Sequence, residues 1–119
     1  MVGGAGEKKT LRLLAKYGDA GNVFAGPRSS PADVAGKLDV LAAHCEKEGT
    51  DFGRIRKSVL WAASLEVDTA AGAREFAQQM AAHAAVGVTE VHVMPWTGDP
   101  ARFVADLGER VVPRLADLV

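Results

Sequence analysis

Four short apolar runs alternate along the chain with four longer amphipathic ones, and this alternation restricts the fold more than any other feature. "MVGG" reads as the tail of a buried strand. "AGNVFAG" (20–26), "KSVLWAASL" (57–65) and "VTEVHVMPW" (88–96) read as three more. The segments between them are helix-like. In "EKKTLRLLAKYG" (7–18), Leu11, Leu14 and Ala15 share one face with Leu13 and Tyr17 beside it, and Gly18 is placed as a C′ residue of positive φ. In 31–49, Val34, Leu38, Leu41, Ala42 and Cys45 make one stripe. Ser30 is the expected N-cap there, Pro31 fits the first turn, Asp33 suits the positive end of the dipole, and Gly49 ends the helix.

The third helix is expected over 70–87, capped by Asp68 or Thr69, with Phe76, Ala77, Met80 and Ala84 inside and Gly87 closing it. The last runs through 101–112 on Phe103, Leu107 and Val111, with Asp99 as cap, Pro100 at its start, and Pro113 kinking or restarting it. Strands alternating with helices require an α/β domain whose parallel sheet is covered by helices. Periodicity leaves two arrangements of these four βα units open: an open sheet and a segment of a (β/α)8 barrel.

Composition narrows the partners. The 119 residues suffice for one domain spanning 1–119. A net charge of −1 with scattered basic residues gives no nucleic-acid footprint. The single cysteine, Cys45, forbids an intrachain disulfide and fits a reducing cytoplasm; its place in an apolar stripe makes it a packed residue. No apolar run approaches the ~18 residues of a membrane span, and no signal-peptide core follows the N-terminus. A cytoplasmic chain without nucleic-acid or membrane partners is expected.

The first site candidate is the glycine loop Gly3, Gly4, Ala5, Gly6. Glycines let a backbone approach a phosphate, and the N–H groups at the start of the next helix bind anions. The plain alternative is a tight strand-to-helix turn. Lys8 and Lys9 oppose the helix dipole unless an anion offsets them. Asn22, Val23, Ala25 and Gly26 fall at or just past the end of the second strand, where ligand-facing groups of barrels cluster; an ordinary βα turn is the alternative.

Ser58 and Trp61 lie on the third strand, with Trp61 read as core. His92 and Trp96 flank the end of the fourth; no carboxylate stands at a telling spacing from His92, which is assigned a structural or solvent-facing role. His44 and His83 have no i+4 partner, no metal-site spacing occurs, and no nucleophile motif or catalytic residue is identified.

The stretches "VGGAGEKKTLRLLAKYGDAGNVF", "KLDVLAAHCEKEGTDFGRIRKSV" and "AVGVTEVHVMPWTGDPARFVADLGERVVPRL" resemble, in this order, the C-terminal half of the luciferase-like monooxygenase superfamily, in its branch dependent on coenzyme F420, a deazaflavin. The resemblance implies the last four βα units of a (β/α)8 barrel, a fold of ~250 residues, with Met1 falling inside the fifth strand. It implies an oxidoreductase fragment or subunit using coenzyme F420, or alternatively FMN, and no metal. The glycine loop would meet the cofactor phosphate, while the ring would be held largely by the half not matched. The chain departs from the family at Gly21, where many relatives carry Trp, which alters the expected wall of the pocket.

Two other readings stand beside the enzyme. One is a non-catalytic half-barrel acting as a structural or interaction protein; the other is an independent phosphate-binding module. A half-barrel leaves two strand edges unpaired and an inner face expected to be apolar and uncovered. It should therefore form a homo-oligomer such as a dimer, or pair with a separate N-terminal half-barrel.

Overall fold

A computed structural model describes residues 1–95 and 98–118. It contains β1 (Val2–Gly3), α1 (Thr10–Tyr17), β2 (Ala20–Ala25), α2 (Pro31–Glu48), β3 (Arg56–Trp61), α3 (Ala70–Ala85), β4 (Glu90–His92), α4 (Pro100–Asp106) and α5 (Val112–Ala116). The protein is α/β. Its four strands form one parallel sheet in the order β1-β2-β3-β4, alternating with helices as four βα units require. No reversal of strand order occurs, unlike the switch point of a doubly wound sheet. Among the described residues no helix is long and apolar enough to cross a membrane.

The chain divides into two compact units. The first comprises Met1–Ala62 and Val86–Val93; the second comprises Ala63–Ala85 and the chain from Met94 onward. In the first, β2 and β3 are in register from Ala20↔Arg56 to Ala25↔Trp61. On β2 the odd-numbered residues point toward α1 and α2, and register puts Val2 of β1 on the same face. Gly21 and Val23 meet Leu14, Val34, Leu38 and Leu41 there, leaving a void of only 10 Å³, about one water in size. Of the expected faces, Leu11, Leu14 and Ala15 on α1 and Val34, Leu38, Leu41 and Cys45 on α2 are buried, and Ala42 is half-buried. Leu13 and Tyr17 are exposed instead, at 45% and 71%.

Even-numbered residues of β2, β3 and β4, with Gly3 of β1, form the opposite face. Asn22, Ser58 and Glu90 stand in one cross-strand row, and Phe24, Leu60 and His92 in the next. This corrects the expectation of an apolar inner face. Polar and charged side chains hold most of it, and Phe24 is its exposed apolar residue at 66%.

Two glycines fit for reasons other than those expected. Gly18 has an extended backbone (φ −95°), not a left-handed one. A Cβ there would lie 2.6 Å from Leu14 Cδ1, so the constraint is close packing. Position 21 faces α1 rather than a ligand, and a Cβ there would lie 2.4 Å from Leu14 Cδ2; its glycine is the seat of α1, not a pocket wall.

Strands and the first helix are shorter than the periodicity suggested. α1 begins at Thr10 after a turn over residues 7–9, β3 stops at Trp61, and β4 keeps three residues. Apolar content marks burial, whereas a strand lasts only while a neighbour offers ladder hydrogen bonds. Val2–Gly3 finds just two register partners on β2, and Glu90–His92 three on β3.

In the second unit α3 buries Ala73, Phe76, Ala77, Met80 and His83. Thr69 is the residue that caps it, its Oγ1 accepting from Gly72 N–H at 3.1 Å. α3 packs against α5 and the turn that precedes it, where Val111 is 1% exposed. That turn, Leu107–Val111, is a π-helical widening in which Val112 N–H bonds to Leu107 O. Pro113 has no N–H to offer, and the helix takes this wider turn and continues as α5 with helical backbone throughout. Neither a kink nor a restart was needed: the turn widens within a continuous helix.

Candidate functional site

The glycine loop leaves β1 at Gly3 and turns at Gly4, whose φ of +111° suits a residue without a Cβ. Gly4 N–H donates to Asn22 O at 2.9 Å, tying the loop to β2. Gly6 O accepts from Leu11 N–H at 2.9 Å, and a Cβ on Gly6 would lie 2.9 Å from Thr10 Oγ1. Among the described residues, the N–H groups of Ala5, Gly6, Glu7, Lys8 and Lys9 meet no protein acceptor. No side chain caps α1. The result is an uncapped helix start preceded by a row of N–H donors without protein acceptors.

Charge at this start is net positive. Lys8 and Lys9 are exposed and without ion-pair partners among the described residues. The acidic Glu7 is neutralised: its carboxylate pairs with Lys37 Nζ at 3.0 Å, and its carbonyl accepts from His44 Nε2. His44, read from sequence only as lacking a metal partner, thus anchors the loop to α2.

The β2–α2 turn is built differently. Gly26 N–H donates to Ser29 Oγ at 3.1 Å, and Gly26 O accepts from Ser29 N–H and Oγ–H. Ser30 and Asp33 form a reciprocal capping box at the start of α2, where Pro31 occupies the first turn. Of the eight residues proposed from sequence, Gly3, Gly4, Ala5, Gly6 and Asn22 come together. Val23 and Ala25, 7% and 3% exposed, turn their side chains into the core, and Gly26 spends its donor within its own turn.

Asn22 does more than accept from Gly4. Ser58 Oγ, 2% exposed, lies 2.8 Å from Gly21 O and 3.1 Å from Asn22 Oδ1, linking β3 to β2. Along the same face sits a group that the sequence reading missed. Glu90 Oε2 accepts from Arg56 Nη1 at 3.3 Å, and Glu90 Oε1 accepts from His92 Nε2. The hydrogen bond from His92, with the nearby guanidinium, holds the Glu90 carboxyl below the usual carboxylate range. His92 therefore does have a carboxylate at a telling spacing: two residues apart on a strand means the same face. The signal "EVH" lies within the expected strand, whose alternation already puts Glu90 on the face of His92.

Other candidates fall outside any site. Trp61 is core at 3% exposure, and Cys45 is packed at 1%. His83 is buried in α3 and lies 2.9 Å from Gln79 O through Nδ1. Trp96 lies outside the described residues. Among the described residues no group of three His, Cys, Asp or Glu side chains could hold a metal ion. In the second unit a 290 Å³ cleft runs between residues 65–68 and the start of α4; it is lined by Glu66, Asp68, Asp99 and Asp106 together with Arg102.

No protein-family model matches the chain, and no curated protein matches it.

Proposed function

We propose that the chain is a luciferase-like oxidoreductase fragment or subunit that binds coenzyme F420, or alternatively FMN, by its phosphate end. The observation that carries this reading is the uncapped start of α1. A row of unpaired N–H groups, a left-handed Gly4 and two unpaired lysines stand where an anion would offset an otherwise unfavourable charge at the dipole end. The loop fits a phosphate on its own chemistry: the N–H groups of Ala5–Lys9 have no protein acceptor among the described residues, and the absence of side chains at Gly3, Gly4 and Gly6 permits close approach.

When bound, the deazaflavin or flavin supplies the hydride chemistry. The residues of this chain bind and orient: Ala5–Lys9 present donors, Lys8 and Lys9 supply positive charge, and Asn22 fixes the loop to the sheet through Gly4. The uninterrupted strand order supports the barrel-like arrangement that the reading assumes.

Titration of the purified chain with coenzyme F420 and with FMN, followed by fluorescence, tests it. Saturable binding of one, weakened by Gly4→Asp, is the expected result. No change with either at high micromolar concentration overturns it.

A second reading, a half-barrel that completes itself with another copy, is favoured by a separate observation. At about 3.6 residues per turn, Arg12 falls on one flank of α1's buried stripe and pairs with Glu48 of α2, while Tyr17 falls on the other flank, with Leu13 nearer the back of the helix. That flank is the β1 side, where the sheet edge is unpaired among the described residues. A concentration-dependent dimer in sedimentation, loosened by Tyr17→Glu, is expected. A folded monomer at micromolar concentration overturns this second reading.

A further inference from the structure

The polar face of the sheet carries a group that the cofactor reading does not use. Glu90, His92 and Arg56 lie on adjacent parallel strands, all on the face opposite α1 and α2. Glu90 is ionised near neutral pH, because the His92 hydrogen bond and the Arg56 guanidinium both favour its charged form. An ionised carboxylate only accepts hydrogen bonds, so His92 Nε2 must be the donor. In the neutral imidazole the single ring proton then sits on Nε2, and Nδ1 carries a lone pair. Among the described residues Nδ1 has no partner. A carboxylate that fixes the tautomer and steadies the imidazolium formed on proton uptake is the orienting arrangement of a general base.

The row that holds His92 supplies a place for a substrate. Phe24, Leu60 and His92 stand side by side on β2, β3 and β4. Neighbouring strands are ~4.8 Å apart, so the Phe24–Leu60 pair is an apolar shelf about as wide as one aromatic ring, with the imidazole at its end. Phe24 is 66% exposed and the His92 side chain 37%, so both reach solvent. Beneath them Ser58 and Asn22 are hydrogen-bonded to β2 and to each other, which keeps the next row fixed.

We propose that Glu90 and His92 form a base that takes a proton from a planar carbon or oxygen acid resting on Phe24 and Leu60. In the step, the bond from the substrate atom to its acidic proton breaks and its electron pair stays on the substrate. A new N–H bond forms at Nδ1, and Glu90 offsets the positive charge that His92 acquires. The proton returns to product or to water, so nothing is oxidised or reduced. The inference is independent of the glycine loop and of any cofactor.

The test uses the full chain and 5-nitrobenzisoxazole, without coenzyme F420 or FMN. In this planar carbon acid, loss of the ring C–H proton breaks the N–O bond, forms the nitrile and releases a coloured phenolate. The chain should exceed an equal concentration of 4-methylimidazole by about a hundredfold, the low end for a positioned base. His92→Gln and His92→Asn should both fall to the level of free imidazole, and Glu90→Gln by about tenfold. Phe24→Ala should raise KM more than it lowers kcat. Nitrogen-15 NMR of the neutral protein should show the proton of His92 on Nε2, a preference that Glu90→Gln weakens. A pair that is merely structural would keep that tautomer without the rate. Turnover no faster than 4-methylimidazole, or turnover that survives both replacements at position 92 with the far-UV circular dichroism unchanged, overturns the proposal. Failure here leaves the cofactor titration standing, and failure of that titration leaves this base standing.

Discussion

α1 and α2 leave the same sheet through the same kind of strand-to-helix turn, yet they begin in opposite ways. α2 is closed by its own side chains: Ser30 and Asp33 exchange hydrogen bonds with each other's backbone, Pro31 presets the first turn, and Gly26 is satisfied by Ser29. α1 has no cap, no acidic residue in its first turn, and lysines where the dipole disfavours them. It is held instead by shape, with Leu14 seated against Gly18 and Gly21, and by the tether of Glu7 to Lys37 and His44. One start is finished locally. The other stays stable because its middle is packed, which leaves its end free for a ligand.

The largest effect should come from breaking the shape-held helix. Gly21→Val drives a side chain into Leu14 and should lower unfolding free energy by about 2–3 kcal/mol, read as a fall in the urea midpoint at constant slope. An unchanged midpoint would mean that α1 is not seated on Gly21. Gly4→Ala should cost about 1–2 kcal/mol, from backbone strain alone, since the nearest atom to the new Cβ would be 3.5 Å away. Next comes the contrast itself. Ser30→Ala should cost about 1 kcal/mol by removing a cap, whereas Lys9→Ala at the matching position of α1 should change stability by less than about 0.5 kcal/mol. Equal losses at both positions would erase the difference between the two starts.

The smallest effect concerns acid. The folded-state pKa of Glu90 is depressed, so its contribution is full above the ordinary glutamate range and is lost as pH falls through the folded value. Glu90→Gln should therefore flatten the decline in stability between about pH 6 and about pH 3 without changing either helix start. A decline as steep as the parent's would remove Glu90 from the acid response.

The residues that were legible in the sequence are those whose chemistry acts locally. Ser30, Pro31, Asp33 and Gly49 mark the ends of α2 because caps and left-handed glycines need only their own turn; Gly49 has φ +70° as such an end requires. The core stripe of α2 and the order of strands and helices follow from periodicity for the same reason. What was hidden depends on partners far along the chain. The constraint on Gly18 and Gly21 comes from where Leu14 points, and no spacing rule encodes that. Asn22 was singled out from its position at a strand end, but its bond with Ser58 across the sheet needed the register. Glu90 and His92 are readable in principle, since strand alternation puts both on one face, but that they bond to each other depends on side-chain orientation that spacing does not encode.

The unreversed strand order has a kinetic consequence. Each strand pairs with the next one in sequence, so no ladder has to wait for a segment more than one βα unit away. Loop closure for each pairing is short for a parallel sheet, a topology in which distant pairing usually slows folding. During synthesis, β2 can pair as soon as β3 emerges, with α2 already beneath both. Growth of the sheet would then follow the direction of translation, one strand at a time, with each growing edge from β1 to β3 covered as the next strand arrives.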